Sequence, residues 1–238
     1  MTTLDLLAGM LVYGVAIVMQ GVIGFGANML AVPILALINP DFVPGPVLIL
    51  NPVMAAIFTL RERGSIDRYG LTWALVGRVP GVLVGVLALM VIAEDHLGTL
   101  FGVLVLLAVG MKVSGIHPTR NRRSLLVAGG LSGFMGTTVA VGGPPIALLY
   151  HDAPGVVMRA TLSPYFLIGT PIAIGALAIA GRFGTSDLVI AAWLLPALLV
   201  AVAISHPFRG VADRGWLAPA IYTVSTAGAI ALLIRSLA

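Results

Sequence analysis

The chain has 238 residues, 59% of them hydrophobic and only 9% charged, with a formal net charge of +4 and a mean hydropathy of +1.09. Soluble domains carry about 25% charged residues, so a water-facing globular surface is excluded and the lipid bilayer is the expected surrounding. Cysteine is absent, which excludes thiolate metal sites; no cofactor and no nucleic-acid partner is expected.

At ~20 residues per helical crossing, the length suits roughly eight crossings with no soluble domain left over. The opening MTTLDLLAGM has no basic run and carries Asp5, so it reads as the start of a first membrane segment, 4–22, and not as a cleaved signal peptide. A short apolar piece, 27–38, follows, then 44–60, the basic loop RERGSIDR, 69–92, the acidic turn AEDH and 97–116. After the basic loop HPTRNRR come 124–138, a second short piece at 144–150, and the longer segments 156–180, 187–204 and 217–236. None shows the dyad alternation of a barrel, and only helices or closed barrels satisfy the backbone in lipid. An all-α polytopic membrane protein is predicted.

Each short piece follows a Gly-rich, uncharged interruption: GVIGFGAN before the first, GFMGTTVAVGG before the second. A shift of 112 residues overlays them, Gly21 on Gly133, Gly24 on Gly136, Pro33 on Pro145, and further on Asn51-Pro52 on Ser163-Pro164, with nine identities over 15–52. The chain therefore reads as two tandem repeats, 1–116 and 117–238, of about four membrane segments each, every repeat opening with a broken helix or re-entrant hairpin. The arginines of loops 61–68 and 117–123 belong in the cytoplasm. If the breaks cross once, the halves are parallel and Arg159, Arg209 and Arg214 fall outside. If they are hairpin tips, the halves are inverted and only Arg182 and Arg235 do. The charge rule leans to the inverted form.

A helix that begins inside the membrane presents free N–H groups and the positive end of its dipole, and glycine lets a ligand approach the backbone. Pro33 and Pro145 are expected in first helical turns. The predicted anion site between the breaks takes Gly24, Phe25, Gly26 and Asn28 from the first and Gly136, Thr137, Thr138, Gly142 and Gly143 from the second. Gln20, Ser132, Asn51 and Ser163 would complete it, although Asn51 and Ser163, each just before a proline, could equally bond the carbonyls that Pro52 and Pro164 free. Close helix packing by small residues is the competing explanation of the glycines. Arg78, about ten residues into its segment, either supplies a fixed positive charge or snorkels to headgroups. Lys112 is expected to snorkel, and Tyr150 and Tyr165 to hydrogen-bond between helices.

The two stretches GVIGFGANMLAVPIL (21–35) and GFMGTTVAVGGPPIALLY (133–150) resemble the signature stretches of the TauE/SafE family of membrane permeases, described as sulfite or organosulfonate exporters. The resemblance runs over nearly the whole chain, although Ala27 and Asn28 stand where family members often have further glycines. It implies an integral protein of the bacterial cytoplasmic (inner) membrane. The implied cargo is a small anion such as sulfite, sulfoacetate or taurine, and the Gly-rich residues of both stretches become candidate contacts.

Other classes fit less well. No carboxylate lies within a span, so a buried proton relay or cation filter is not expected, and a co-transported proton or ion would have to travel with the cargo. Ser132 and Ser163 have no membrane histidine to activate them, which argues against an intramembrane enzyme. His96, His117, His151 and His206 match no metal spacing, and Trp73, Trp193 and Trp216 fit interfacial belts. The expectation is a secondary transporter, an exporter, working by alternating access. A facilitative anion channel and a non-transporting structural subunit of a larger complex are the alternatives, and the oligomeric state stays open.

Overall fold

The computed structural model describes residues 1–23, 26–61, 64–93, 96–205 and 217–237. Among them all regular structure is helical: α1 Thr3–Ile23, α2 Ala27–Ile38, α3 Gly45–Arg61, α4 Arg68–Val91, α5 Leu97–Val113, α6 Arg122–Val139, α7 Gly143–Leu148, α8 Gly155–Ile179, α9 Thr185–Ser205 and α10 Leu217–Leu237, with a 3-10 turn at Pro40–Phe42. Six helical stretches are long and apolar enough to cross a membrane, where roughly eight crossings were expected. Of the remaining four, α2 and α7 have 12 and 6 residues, too short for the ~20 that span the hydrocarbon; α6 has 18 but opens on Arg122 and Arg123 and is less apolar, and the 17 of α5 reach only the lower end of the spanning range. Gly24, Phe25, His206, Arg209, Arg214 and Trp216 lie outside the described residues.

The outer surface is greasy. Leu4, Leu83, Leu87, Val91 and Ile179 are among many exposed large apolar side chains, which water would not tolerate in this number and lipid covers. Together with the spanning helices, this makes the chain an integral membrane protein.

Lipid provides little hydrophobic drive between helices, so contact is made by close backbone approach over small residues. The α4–α6 seam is the clearest case. A Cβ at Gly77 would fall on the Leu126 carbonyl, one at Gly81 on the Gly130 carbonyl and one at Gly129 on the Ala74 carbonyl. From Gly77 to Gly81 the partner moves from Leu126 to Gly130, and from Gly129 to Gly133 it moves from Ala74 to Arg78, so α4 and α6 run parallel. Elsewhere α1 packs on α9, where a Cβ at Gly21 would strike Ser205, and α3 lies on α8.

Both short helices fold back. Gly9 of α1 lies against the Phe42 ring just beyond α2, so the two ends of α1–α2 sit together, near the start of α3. At the other pair, the Tyr150 hydroxyl, just after α7, donates to Asp67 Oδ2 at 3.1 Å, while the Arg120 guanidinium, just before α6, lies 4.8 Å from the Tyr150 ring centre. His117 and His151 stack with ring centres 4.5 Å apart. The two ends of α6–α7 therefore sit together at the start of α4. Their tips meet in the interior: Asn28 Nδ2 donates to the Ala140 carbonyl at 2.7 Å.

Candidate functional site

At the first break the chain reaches Gly26 with φ of 98°, a left-handed conformation that costs an L side chain about 1–2 kcal/mol and glycine almost nothing. From there α2 starts at Ala27, whose N–H donates to Gln20 Oε1 at 2.9 Å. Gln20 Nε2 in turn lies 3.2 Å from the Met54 sulfur. A side chain of α1 thus caps α2 from across the break, satisfying one of the orphan donors of a helix start. Pro33 is the seventh residue of α2 and lies inside it, not in its first turn, because Gln20 lets the helix begin well before the proline.

The second break falls at Ala140–Gly142. Ala140 ends α6 at φ 57°, and α7 begins from Gly142. Pro145 does sit in the first turn there, but Pro144 and Pro145 have no N–H to offer, so α7 presents few donors. The helix starts at Gly26 and Gly142 are 116 residues apart, one helical turn more than the 112 of the sequence overlay. Gly136, Thr137 and Thr138 are consequently helical residues of α6. The Thr138 hydroxyl donates to its own helix at the Phe134 carbonyl, 2.8 Å away, and Thr137 is fully buried where α6 meets Gly85 of α4. These three do not line the cavity between the breaks.

That cavity has a volume of about 50 Å³. Its wall includes Gln20, Gly26, Asn28, Asn51, Gly142, Gly143 and Ser163. Seven of the predicted residues therefore converge from five helices and both breaks. Met54, Phe58 and Phe166 line it too and went unpredicted, although helical spacing carried a signal: 51, 54 and 58 share a face of α3, as 163 and 166 do of α8. Asn28 Nδ2 also donates to Asn51 Oδ1 at 3.1 Å, and the Ser163 hydroxyl donates to the Arg159 carbonyl at 2.9 Å. No charged side chain is among the lining residues.

The charge stands one layer behind. Arg78 is 1% exposed, so it does not snorkel to headgroups. Gly136 and Gly169 clear its path: a Cβ at Gly169 would fall on the Arg78 Cδ, and one at Gly136 would lie 3.3 Å from its Nη2. Arg78 Nη1 donates to Ser132 Oγ at 3.5 Å, and Ser132 Oγ donates to the Gly142 carbonyl on the cavity wall at 2.5 Å. The guanidinium carbon lies 4.9 Å from the Tyr165 ring centre and 5.5 Å from that of Phe166, within cation–π range. Tyr165 does this in place of the expected interhelical hydrogen bond, its hydroxyl having no partner. No carboxylate pairs with Arg78 among the described residues, and its Nε has no hydrogen-bond acceptor. A permanent cation buried without a counter-charge biases the neighbouring cavity toward an anion.

A helical membrane protein with an uncharged, mainly apolar cavity that carries a few amide and hydroxyl groups between two interior helix breaks, backed by a buried arginine, has the make-up of a small-solute permease. The chain matches the family model "Sulfite exporter TauE/SafE" over residues 9–232, and it belongs to that transporter family. No curated protein and no solved structure matches it.

Proposed function

We propose that this protein is a secondary transporter that exports a small oxyanion, sulfite or an organosulfonate, across the bacterial inner membrane by alternating access around the cavity between the two breaks. The observation that carries the reading is the pairing of that cavity with Arg78, a buried cation that has no counter-ion among the described residues. Gln20, Gly26, Asn28, Asn51, Gly142, Gly143 and Ser163 are the proposed contacts; Gly24 and Phe25, expected beside them from the sequence, lie outside the described residues. Ser132 couples Arg78 to the wall, while Gly136, Thr137 and Thr138 hold α6 and the arginine in position.

The same reading treats 1–116 and 117–238 as inverted repeats. It is supported by the two hairpins, whose paired ends sit at opposite ends of α3 and whose tips meet where Asn28 donates to Ala140. Rocking of one half against the other then exposes the cavity to alternate sides. The test is flux of labelled sulfite into liposomes holding the purified protein. Saturable flux that Arg78→Gln impairs supports a transporter; non-saturating flux would make it a channel, and absence of flux for sulfite and sulfonates alike would leave a structural subunit.

A further inference from the structure

The hydrogen-bonding of Asn28 restricts the cargo further. A carboxamide has two N–H donors and one acceptor oxygen. The Asn28 nitrogen is engaged twice, with Asn51 Oδ1 at 3.1 Å and with the Ala140 carbonyl at 2.7 Å. A main-chain carbonyl can only accept, so Ala140 fixes which way the amide faces. That leaves Asn28 Oδ1 as a buried acceptor with no partner, on a residue of the cavity wall. The neighbouring acceptor is already used: Gln20 Oε1 takes the Ala27 N–H. The hydroxyls of Ser163 and Ser132 donate to main-chain carbonyls, so neither supplies Asn28 with a hydrogen.

We infer that the cargo is an anion that also carries its own O–H or N–H donor, and that Asn28 Oδ1 is the group that selects it; the inference rests on the transport reading above. An anion with acceptors alone would be drawn in by the charge of Arg78 yet leave the Asn28 oxygen unpaired and desolvated, the situation that makes a polar site reject an analogue lacking one hydroxyl. Hydrogen sulfite, hydroxy-sulfonates and ammonium-bearing sulfonates such as taurine carry the required hydrogen. Sulfoacetate, with two acid groups and no donor, does not.

Isethionate and ethanesulfonate have the same carbon chain and differ by one hydroxyl, so the two anions isolate the effect. In proteoliposomes the wild-type protein is expected to prefer isethionate by about tenfold or more in kcat/KM. Asn28→Ala is expected to bring the ratio near one, chiefly by lowering isethionate transport. Equal handling of the pair by the wild type, the result expected if a fixed water satisfies Asn28, overturns the inference while leaving the transport reading intact. A preference that survives Asn28→Ala overturns it as well. Should that variant fail to insert, Asn28→Leu, which keeps the size of the side chain and also lacks the oxygen, is expected to bring the ratio near one in its place. Flux of neither sulfonate nor sulfite would remove the transport reading and this inference with it.

Discussion

Gly142 and Gly143 are adjacent in sequence and opposite in what they tolerate. A Cβ at Gly142 would lie 2.8 Å from the Ser132 carbonyl and 3.0 Å from its hydroxyl oxygen, whereas at Gly143 the nearest atom is the Phe166 ring edge at 4.0 Å. Gly142→Val is therefore expected to force the second break apart and lower the melting temperature by several degrees, in keeping with the ~1–3 kcal/mol of an overpacked interior. Gly143→Val should fold normally and fail in transport, because its added methyl groups enter the cavity. Thermal unfolding in detergent beside flux in liposomes separates the two, and equal melting of both variants would refute the distinction. Arg78 acts through space. For charges held about 8 Å apart at an effective dielectric of about 20 the attraction is about 2 kcal/mol, or roughly thirtyfold in affinity, which sets the order expected for a cation one layer behind the wall. Arg78→Gln should raise the KM for sulfite by that order, and Arg78→Lys should recover part of it, since the charge returns without the planar stack on Tyr165. An unchanged KM would make the arginine a packing element only.

At the scale of elements, the α4–α6 seam and the base of the second hairpin hold the site. Gly81 faces a backbone carbonyl, which cannot move aside as a flexible side chain can, so Gly81→Leu is expected to cost more than about 3 kcal/mol and to abolish recovery of folded protein. The base is tied by Tyr150. Burial first, and then the Asp67 carboxylate, pushes its hydroxyl above the usual tyrosine range, so it remains a hydrogen donor to Asp67 at any physiological pH. Tyr150→Phe removes one hydrogen bond to a charged acceptor and should destabilise by about 1.5–3 kcal/mol, seen as a lower melting temperature; an unchanged melting temperature would mean that Asp67 is held well enough by Arg120 and Gly70. Much of this organisation was legible in the chain. The apolar run 27–38 became α2 with those limits, and 156–180 became α8 within a residue at each end. The second interruption was read as 133–143, although its first part, 133–139, is helix, because glycines that break a helix and glycines that let two helices touch look alike locally. Gly133 and Gly136 are of the second kind, and only their neighbours on α4, Arg78 above all, reveal it. The depth of Arg78 was hidden for the same reason: the space it fills is cleared by Gly136 and Gly169, which belong to other helices.

For the whole molecule, the decisive property is the sense in which the two hairpins enter. The Asn39 end of the first lies near the start of α3, and the His151 end of the second lies at the start of α4, beyond the other end of α3. Because α3 crosses with its final Arg61 on the side of the arginine-rich loops, hairpins entering from opposite faces put Asn39 outside and His151 in the cytoplasm. Halves that ran parallel, with each break crossing once, would put both positions on the outside, since 4–38 and 124–150 would then start from the cytoplasm alike. The native chain contains no cysteine, so single cysteines report without background. Asn39→Cys is expected to react with a membrane-impermeant maleimide on intact cells, and His151→Cys only after the membrane is opened. Reaction of both from outside would remove the inverted arrangement and, with it, the rocking motion by which one cavity could serve both sides.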